Sequence, residues 1–193
     1  QTIGRLTISG STSITLQGPG GGQTLTIGDG TGDDLVVAAG ASLTAEASLE
    51  NIVMAANATA DISGTFTPNT TFNMNNAGVL VTVSGLLVNI SATLTGASAA
   101  KLVFASGSTY QHNRNGSLIP LSTWNANSTC LITGVTNGTP NNNNQNFGHF
   151  TWNCPGHTGN RTFGGAFSIQ GNMTVVNTGT GELRFANDVA NSV

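Results

Sequence analysis

The sequence predicts an all-β chain, a right-handed parallel β-helix or solenoid of short strands, with a β-sandwich as the alternative. Three observations predict it. Only 7% of the residues are charged, against roughly 25% in an ordinary soluble domain. Gly, Ser, Thr and Asn take the vacated positions. Gly, Ser and Asn favour turns over helix interiors, whereas Thr suits a pleated, half-buried surface. Second, polar and apolar residues alternate over stretches of about four to six positions, each closed by Gly, Asn or Ser. Third, phrases recur: Leu6-Thr7-Ile8-Ser9-Gly10, Leu25-Thr26-Ile27-Gly28 and Val81-Thr82-Val83-Ser84-Gly85, with Thr123-Trp124-Asn125 echoed by Thr151-Trp152-Asn153. Stacked coils bury the inner face of each repeat against its neighbours, which favours such echoes.

The elements follow in order. Leu6–Ile8 gives way to Ser9-Gly10-Ser11, and residues 14–16 run into the glycine-rich breaker at 17–22. Residues 25–27 stop at Gly28, and 35–37 at Ala38-Ala39-Gly40. Residues 43–56 come closest to helical composition. Their apolar positions Leu43, Leu49, Ile52, Val53 and Met54 fit a helical stripe poorly, so the stretch reads as two strands and a turn, with a short helix as the alternative. Further strands are expected at 72–74, 79–83, 86–90, Leu102–Phe104, 130–132 and 173–176. Strand starts recur about every 8 to 12 residues, which leaves no room for Greek-key crossovers.

Residues 1–193 therefore read as one continuous solenoid segment. The polar stretch 111–116 marks a candidate sub-boundary near 112. The Asn-rich stretch 136–146 reads as a surface loop with nothing in it to pack. Residues 183–193 resemble the middle of another repeat, which implies further chain or a partner subunit at that end.

Composition also excludes function classes. The net charge of −3 offers no basic patch for nucleic acid. The longest apolar run, 78–88, is interrupted by Thr82, Ser84 and Gly85 and falls short of the roughly 20 residues of a membrane span. Hydrophobic residues make up 38% of the chain, too many for disorder. A chain beginning at Gln1 is compatible with removal of a secretory signal.

Candidate sites are few. Asp29, Asp33 and Asp34, spaced by Gly28, Gly30 and Gly32, supply oxygen ligands of the kind calcium takes. In part they resemble the glycine-rich calcium nonapeptide, although no second copy stacks beside them. The plainer reading is an acidic turn between two strands, with calcium the one cofactor to consider. His149, Cys154 and His157 lack a fourth ligand for structural zinc and read as two surface histidines and a half-cystine. The interval from Cys130 to Cys154 is close to one turn of many solenoids. That spacing suits a disulfide between adjacent coils, and two buried free thiols are the alternative.

Tyr110, Trp124 and Trp152 could form an aromatic platform for glycans, while the same rings equally suit a solenoid core. Thr pairs at Thr24/Thr26, Thr65/Thr67 and Thr93/Thr95 raise the idea of an ice-binding face. Such a face needs ranks of Thr in register. The irregular spacing of the pairs along the chain gives none, and strand composition accounts for them. No paired carboxylates or activated nucleophile are evident, and Arg5, Lys101, Arg114, Arg161 and Arg184 are scattered. A polysaccharide-processing enzyme is therefore not expected.

From residue 110 to 153 the chain carries a distinctive phrase: Tyr110-Gln111-His112-Asn113, Ile119-Pro120, Thr123-Trp124-Asn125, Ser128-Thr129-Cys130, Ile132-Thr133-Gly134, Phe147-Gly148, Phe150 and Trp152-Asn153. It resembles large secreted, repetitive surface or adhesin-like β-helix proteins of Bacteroidota-type bacteria. The resemblance implies export to the cell surface, often by the type IX route, and supplies no catalytic motif. The C-terminal sorting domain of that route is not found in this sequence. The expectation is a structural extracellular protein, a self-assembling fibre or adhesin stalk segment associating through its solenoid ends. A carbohydrate-binding module on a bacterial surface protein is the alternative.

Overall fold

The computed structural model describes residues 1–185 apart from 21, 30, 165 and 166. Among them there is no helix, and every strand pairing is parallel. The chain winds through about eight coils of a β-solenoid with three faces. Sheet I stacks Thr2–Ile3, Thr24–Ile27, Asn51–Met54, Thr71–Asn73 and Leu94–Thr95. Sheet II stacks Leu6–Ile8, Asp33–Val37, Thr59–Ile62, Leu80–Val83, Leu102–Phe104 and Thr123–Trp124. Sheet III is the longest, with eight strands: Ser13–Leu16, Ser42–Ala45, Thr65–Pro68, Leu86–Asn89, Thr109–His112, Thr129–Ile132, His149–Asn153 and Met173–Asn177. Two short pairs, Asn146–Phe147 with Ser168–Ile169 and Asn160–Thr162 with Glu182–Arg184, complete the last coils.

Alternation sets which side chains face inward. Ser42–Ala45, Asn51–Met54, Thr65–Pro68 and Thr129–Ile132 each alternate half-buried with buried residues. On sheet III one inner rank runs Leu43, Phe66, Leu87, Tyr110, Cys130 and Phe150, each in register with the next. Each fully buried aliphatic or aromatic side chain contributes about 1.5–3 kcal/mol. The early coils are filled by Ile27, Leu35, Val37 and Ile52, the later ones by rings. Phe104 and Trp124 stack at 4.3 Å, and Phe147 and Phe150 meet edge to face at 5.3 Å.

Coil length is not constant. The coil that carries Ser13 to its partner Ser42 is far longer than the one that carries Thr109 to Thr129. The corners absorb the difference, and some corners are tight. A Cβ on Gly85 would strike the backbone carbonyls of Ser63 and Gly64 in the coil beneath, so the chain can turn there only without a side chain. Residues 43–56 form two strands as expected, joined by a turn in which Leu49 N donates to Glu46 O at 2.9 Å.

The ladder of sheet III passes through residue 112 without a gap, since His112 pairs with Asn89 on one side and Ile132 on the other. Stretch 136–146 departs from the expected unpacked loop. Asn141 bridges Leu118, and Pro140 is buried. Gln145 is bound on both ends of its amide. Its Oε1 accepts from Ser122 N at 3.2 Å and Trp124 Nε1 at 3.1 Å, and its Nε2 donates to Pro120 O at 3.1 Å and Asn142 O at 2.7 Å. A polar side chain can thus pack half-buried between coils when every group finds a partner. The repeat-like phrase expected at 183–193 lies outside the described residues beyond position 185.

Candidate functional site

The acidic turn sits at the corner between sheets I and II. Asp34 is fully buried, and its two oxygens are already engaged: Oδ1 accepts from Asp29 N and Oδ2 from Thr59 N, both at 2.9 Å. It therefore ties the turn to the next coil. Asp29 is exposed, and Thr31 donates to its Oδ1 from both N and Oγ1. Those two bonds hold its carboxyl below the usual carboxylate range. Asp33 accepts from Thr59 Oγ1 at 3.0 Å, while its backbone carbonyl takes Arg5 Nε at 2.6 Å. Gly30, part of the calcium-like spacing, lies outside the described residues. Among the described residues no three His, Cys, Asp or Glu side chains are gathered as a metal would need.

Tyr110, Trp124 and Trp152 are core residues and not a platform. Tyr110 and Trp152 have no exposure, and Trp124 has 5%. Strand alternation turns all three inward, so a glycan cannot reach their faces. Tyr110 instead belongs to a buried polar chain. Asn89 Nδ2 donates to Tyr110 Oη at 3.3 Å, Oη meets His112 Nδ1 at 3.0 Å, and His112 Nε2 meets Gly116 O at 2.7 Å. A carbonyl only accepts, so Nε2 carries the hydrogen, and Nδ1 of the neutral ring accepts from the phenol. Burial lowers the His112 pKa to about 4, with the Arg114 cation acting in the same direction. Burial likewise pushes the Tyr110 phenol far above its ordinary range.

The cysteines are both free and both buried, which corrects the disulfide. The register explains why. The coil at this height is shorter than the interval between the two cysteines, so Cys130 is paired with Phe150 and not with Cys154. Cys154 lies beyond that partner on the same coil and donates its thiol to Ile132 O at 3.4 Å. His157 is not a surface histidine: it is fully buried against Trp152, ring centroids 5.4 Å apart, and burial depresses its pKa. His149 is half-buried on sheet III, where its Nδ1 accepts from Asn172 N at 2.8 Å.

Besides a hollow of about 280 Å³ at the first coils, lined by Ile3, Leu6, Leu16, Leu25 and Leu49, two concavities stand out among the described residues. A cleft of about 250 Å³ opens where sheet I ends, between Leu94, Pro120, Leu121 and the polar groups of Asn89 and Asn142. Arg114 donates to Ala92 O at 2.6 Å and Asn89 Oδ1 at 3.4 Å, two residues of the cleft wall, without lining the cleft itself. The lining is uncharged and smaller than the roughly 300–1,000 Å³ of ordinary ligand pockets. A shallower groove of about 610 Å³ follows the solenoid axis beside sheet III, from Ser42 past Thr65, Leu86 and Thr109 to Leu131. It too is lined by uncharged side chains. Sequence reasoning passed over both, because each is assembled from residues that are neighbours in space and whole coils apart along the chain. Comparison with known proteins finds no matching family, no matching curated protein and no matching solved structure.

Proposed function

We propose that this chain is a structural segment of an exported surface protein, a rigid solenoid unit that associates with like units into a fibre or stalk and has no catalytic role. The observation that carries the reading is the ladder of sheet III, eight parallel strands without a break. At about 4.8 Å per step it spans on the order of 34 Å of hydrogen-bonded rod. The polar groups with chemical potential serve the fold: Asp34 ties two coils, His112 and Tyr110 satisfy one another, and Cys130 is buried. A parallel solenoid grows by adding strands to its edges, and such contacts are head-to-tail and open-ended. The repeat style of residues 110–153 supports export.

Light scattering over a concentration series, with negative-stain imaging, tests this. Rods of constant width whose length grows with concentration are expected. A chain that stays monomeric throughout would reject the fibre.

A further inference from the structure

Of the three Thr pairs only Thr65/Thr67 lies on sheet III, and there it belongs to ranks that are irregular along the sequence but regular in space. Successive partners on sheet III are Ser13, Ser42, Thr65 and Leu86, and the interval shortens at each step. The corners take up these differences, so the strands themselves stay in register. Two outward ranks result. One runs Ser13, Ser42, Thr65, Leu86, Thr109, Thr129, His149. The other, two positions along each strand, is made of two paired runs, Thr15, Thr44, Thr67 and Val88, Gln111, Leu131, Thr151, which follow one another beyond the pair Phe66–Leu87. Nine of these fourteen positions are Ser or Thr.

From this we infer that the outer face of sheet III binds ice. Backbone geometry fixes the grid: neighbouring ranks of hydroxyl and methyl groups recur about every 4.8 Å across strands and about 6.6 Å along them. Those spacings lie close to the oxygen rows on the planes of hexagonal ice, and few soluble ligands present a two-dimensional lattice to match. The grid is also stiff. Thr is restricted at χ1, and the alternate residues Leu43, Phe66, Leu87, Tyr110, Cys130 and Phe150 anchor each strand in the core. Ser42 Oγ donates to Ser13 Oγ at 2.8 Å, which aligns hydroxyls along the rank. Little ordering entropy is then left to lose on binding a solid.

Charge separates this face from sheet II, and extent separates it from sheet I, whose five strands are equally uncharged but make a shorter stack than the eight of sheet III. No Asp, Glu, Lys or Arg occurs in any strand of sheet III, whereas sheet II carries Asp33 and Asp61. Charged groups hold hydration water in arrangements that a crystal lattice cannot accept. Where Ser and Thr fail, Leu86, Val88 and Leu131 keep methyl groups on the surface and Gln111 is neutral. His149, the one titratable member, has its Nδ1 committed to Asn172 N. Adsorption would be the sum of many weak contacts made at once. The inference is independent of whether units associate into fibres.

The test is thermal hysteresis and inhibition of ice recrystallisation with the purified chain, T44K/T67K on sheet III, and T82K on sheet II as control. Wild type and T82K are expected to shape and arrest ice crystals, and T44K/T67K to lose activity by about tenfold or more, with circular dichroism unchanged. T129K replaces the double variant if that does not fold. Wild type without effect on ice growth overturns the proposal, as does full activity in a folded T44K/T67K. Co-sedimentation with crystalline cellulose or chitin without any effect on ice assigns the face to a polysaccharide and overturns it equally.

Discussion

Tyr110 Oη donates to Nδ1 of His112 across 3.0 Å inside the coil, and the ring's Nε2 donates to Gly116 O. Both ring nitrogens are satisfied only while the histidine is neutral, because a proton on Nδ1 would oppose the phenol hydrogen. The folded chain therefore refuses a proton that the unfolded chain accepts between the ordinary pKa of 6.5 and about 4. The histidine's contribution is complete above pH 6.5 and is lost as pH falls toward 4. The slope is about 1.4 kcal/mol per pH unit, and the total about 3 kcal/mol. Burial of His157 acts with the same sign. Urea titrations from pH 7.5 to 4 are the measurement. His112→Gln is expected to be less stable at neutral pH and to show a shallower acid dependence.

The cysteine register predicts chemistry. Burial pushes the Cys154 thiol up to about 11 and raises the Cys130 thiol as well, so neither supplies thiolate at neutral pH. The native chain is expected to resist a thiol reagent and to titrate two thiols in denaturant without reductant. Dithiothreitol is expected to leave the melting temperature unchanged. A reductant-dependent drop would mean that a disulfide forms.

Asp34 ties the corner turn to the strand of the next coil. Asp34→Ala leaves the amides of Asp29 and Thr59 without acceptors and is expected to cost about 3 kcal/mol. Asp34→Asn, with one acceptor oxygen, is expected to cost roughly half as much. Calcium and chelator are expected to leave the melting midpoint of wild type unmoved, since a calcium ion needs six or more oxygens and both Asp34 oxygens already accept amide hydrogens. A rise in midpoint with calcium would reinstate the ion.

These residues show what was legible in the sequence. The fold class was, because alternation in stretches such as Ser42–Ala45 and Thr129–Ile132 follows directly from a strand with one face buried. The grouping of residues into sites was not, because it depends on coil length, which varies while the ladder does not. A constant, longer period would stack Cys130 on Cys154, whereas the actual coil stacks it on Phe150. The same variation hides the Thr ranks of sheet III. Aromatic composition leaves core and platform open, and only register turns Tyr110 inward. Gln145 lay in a stretch whose polarity suggested solvent, yet Trp124 Nε1 and Ser122 N require an acceptor there.

Trp124 gives the sharpest contrast between core and binding surface. Its ring stacks on Phe104 at 4.3 Å, meets Phe147 at 5.1 Å and donates Nε1 to Gln145 at 3.1 Å. Removing it opens a cavity between two coils and strips Gln145 of a donor. Trp124→Ala is expected to destabilise by about 3–5 kcal/mol, read from chemical denaturation. Trp124→Phe keeps most of the volume and is expected to cost about half as much, with the lost hydrogen bond accounting for about 1 kcal/mol of it. A ring on a glycan platform would behave oppositely: its removal would spare stability and abolish binding. An alanine variant as stable as wild type would therefore place Trp124 outside the core that the coil register assigns it.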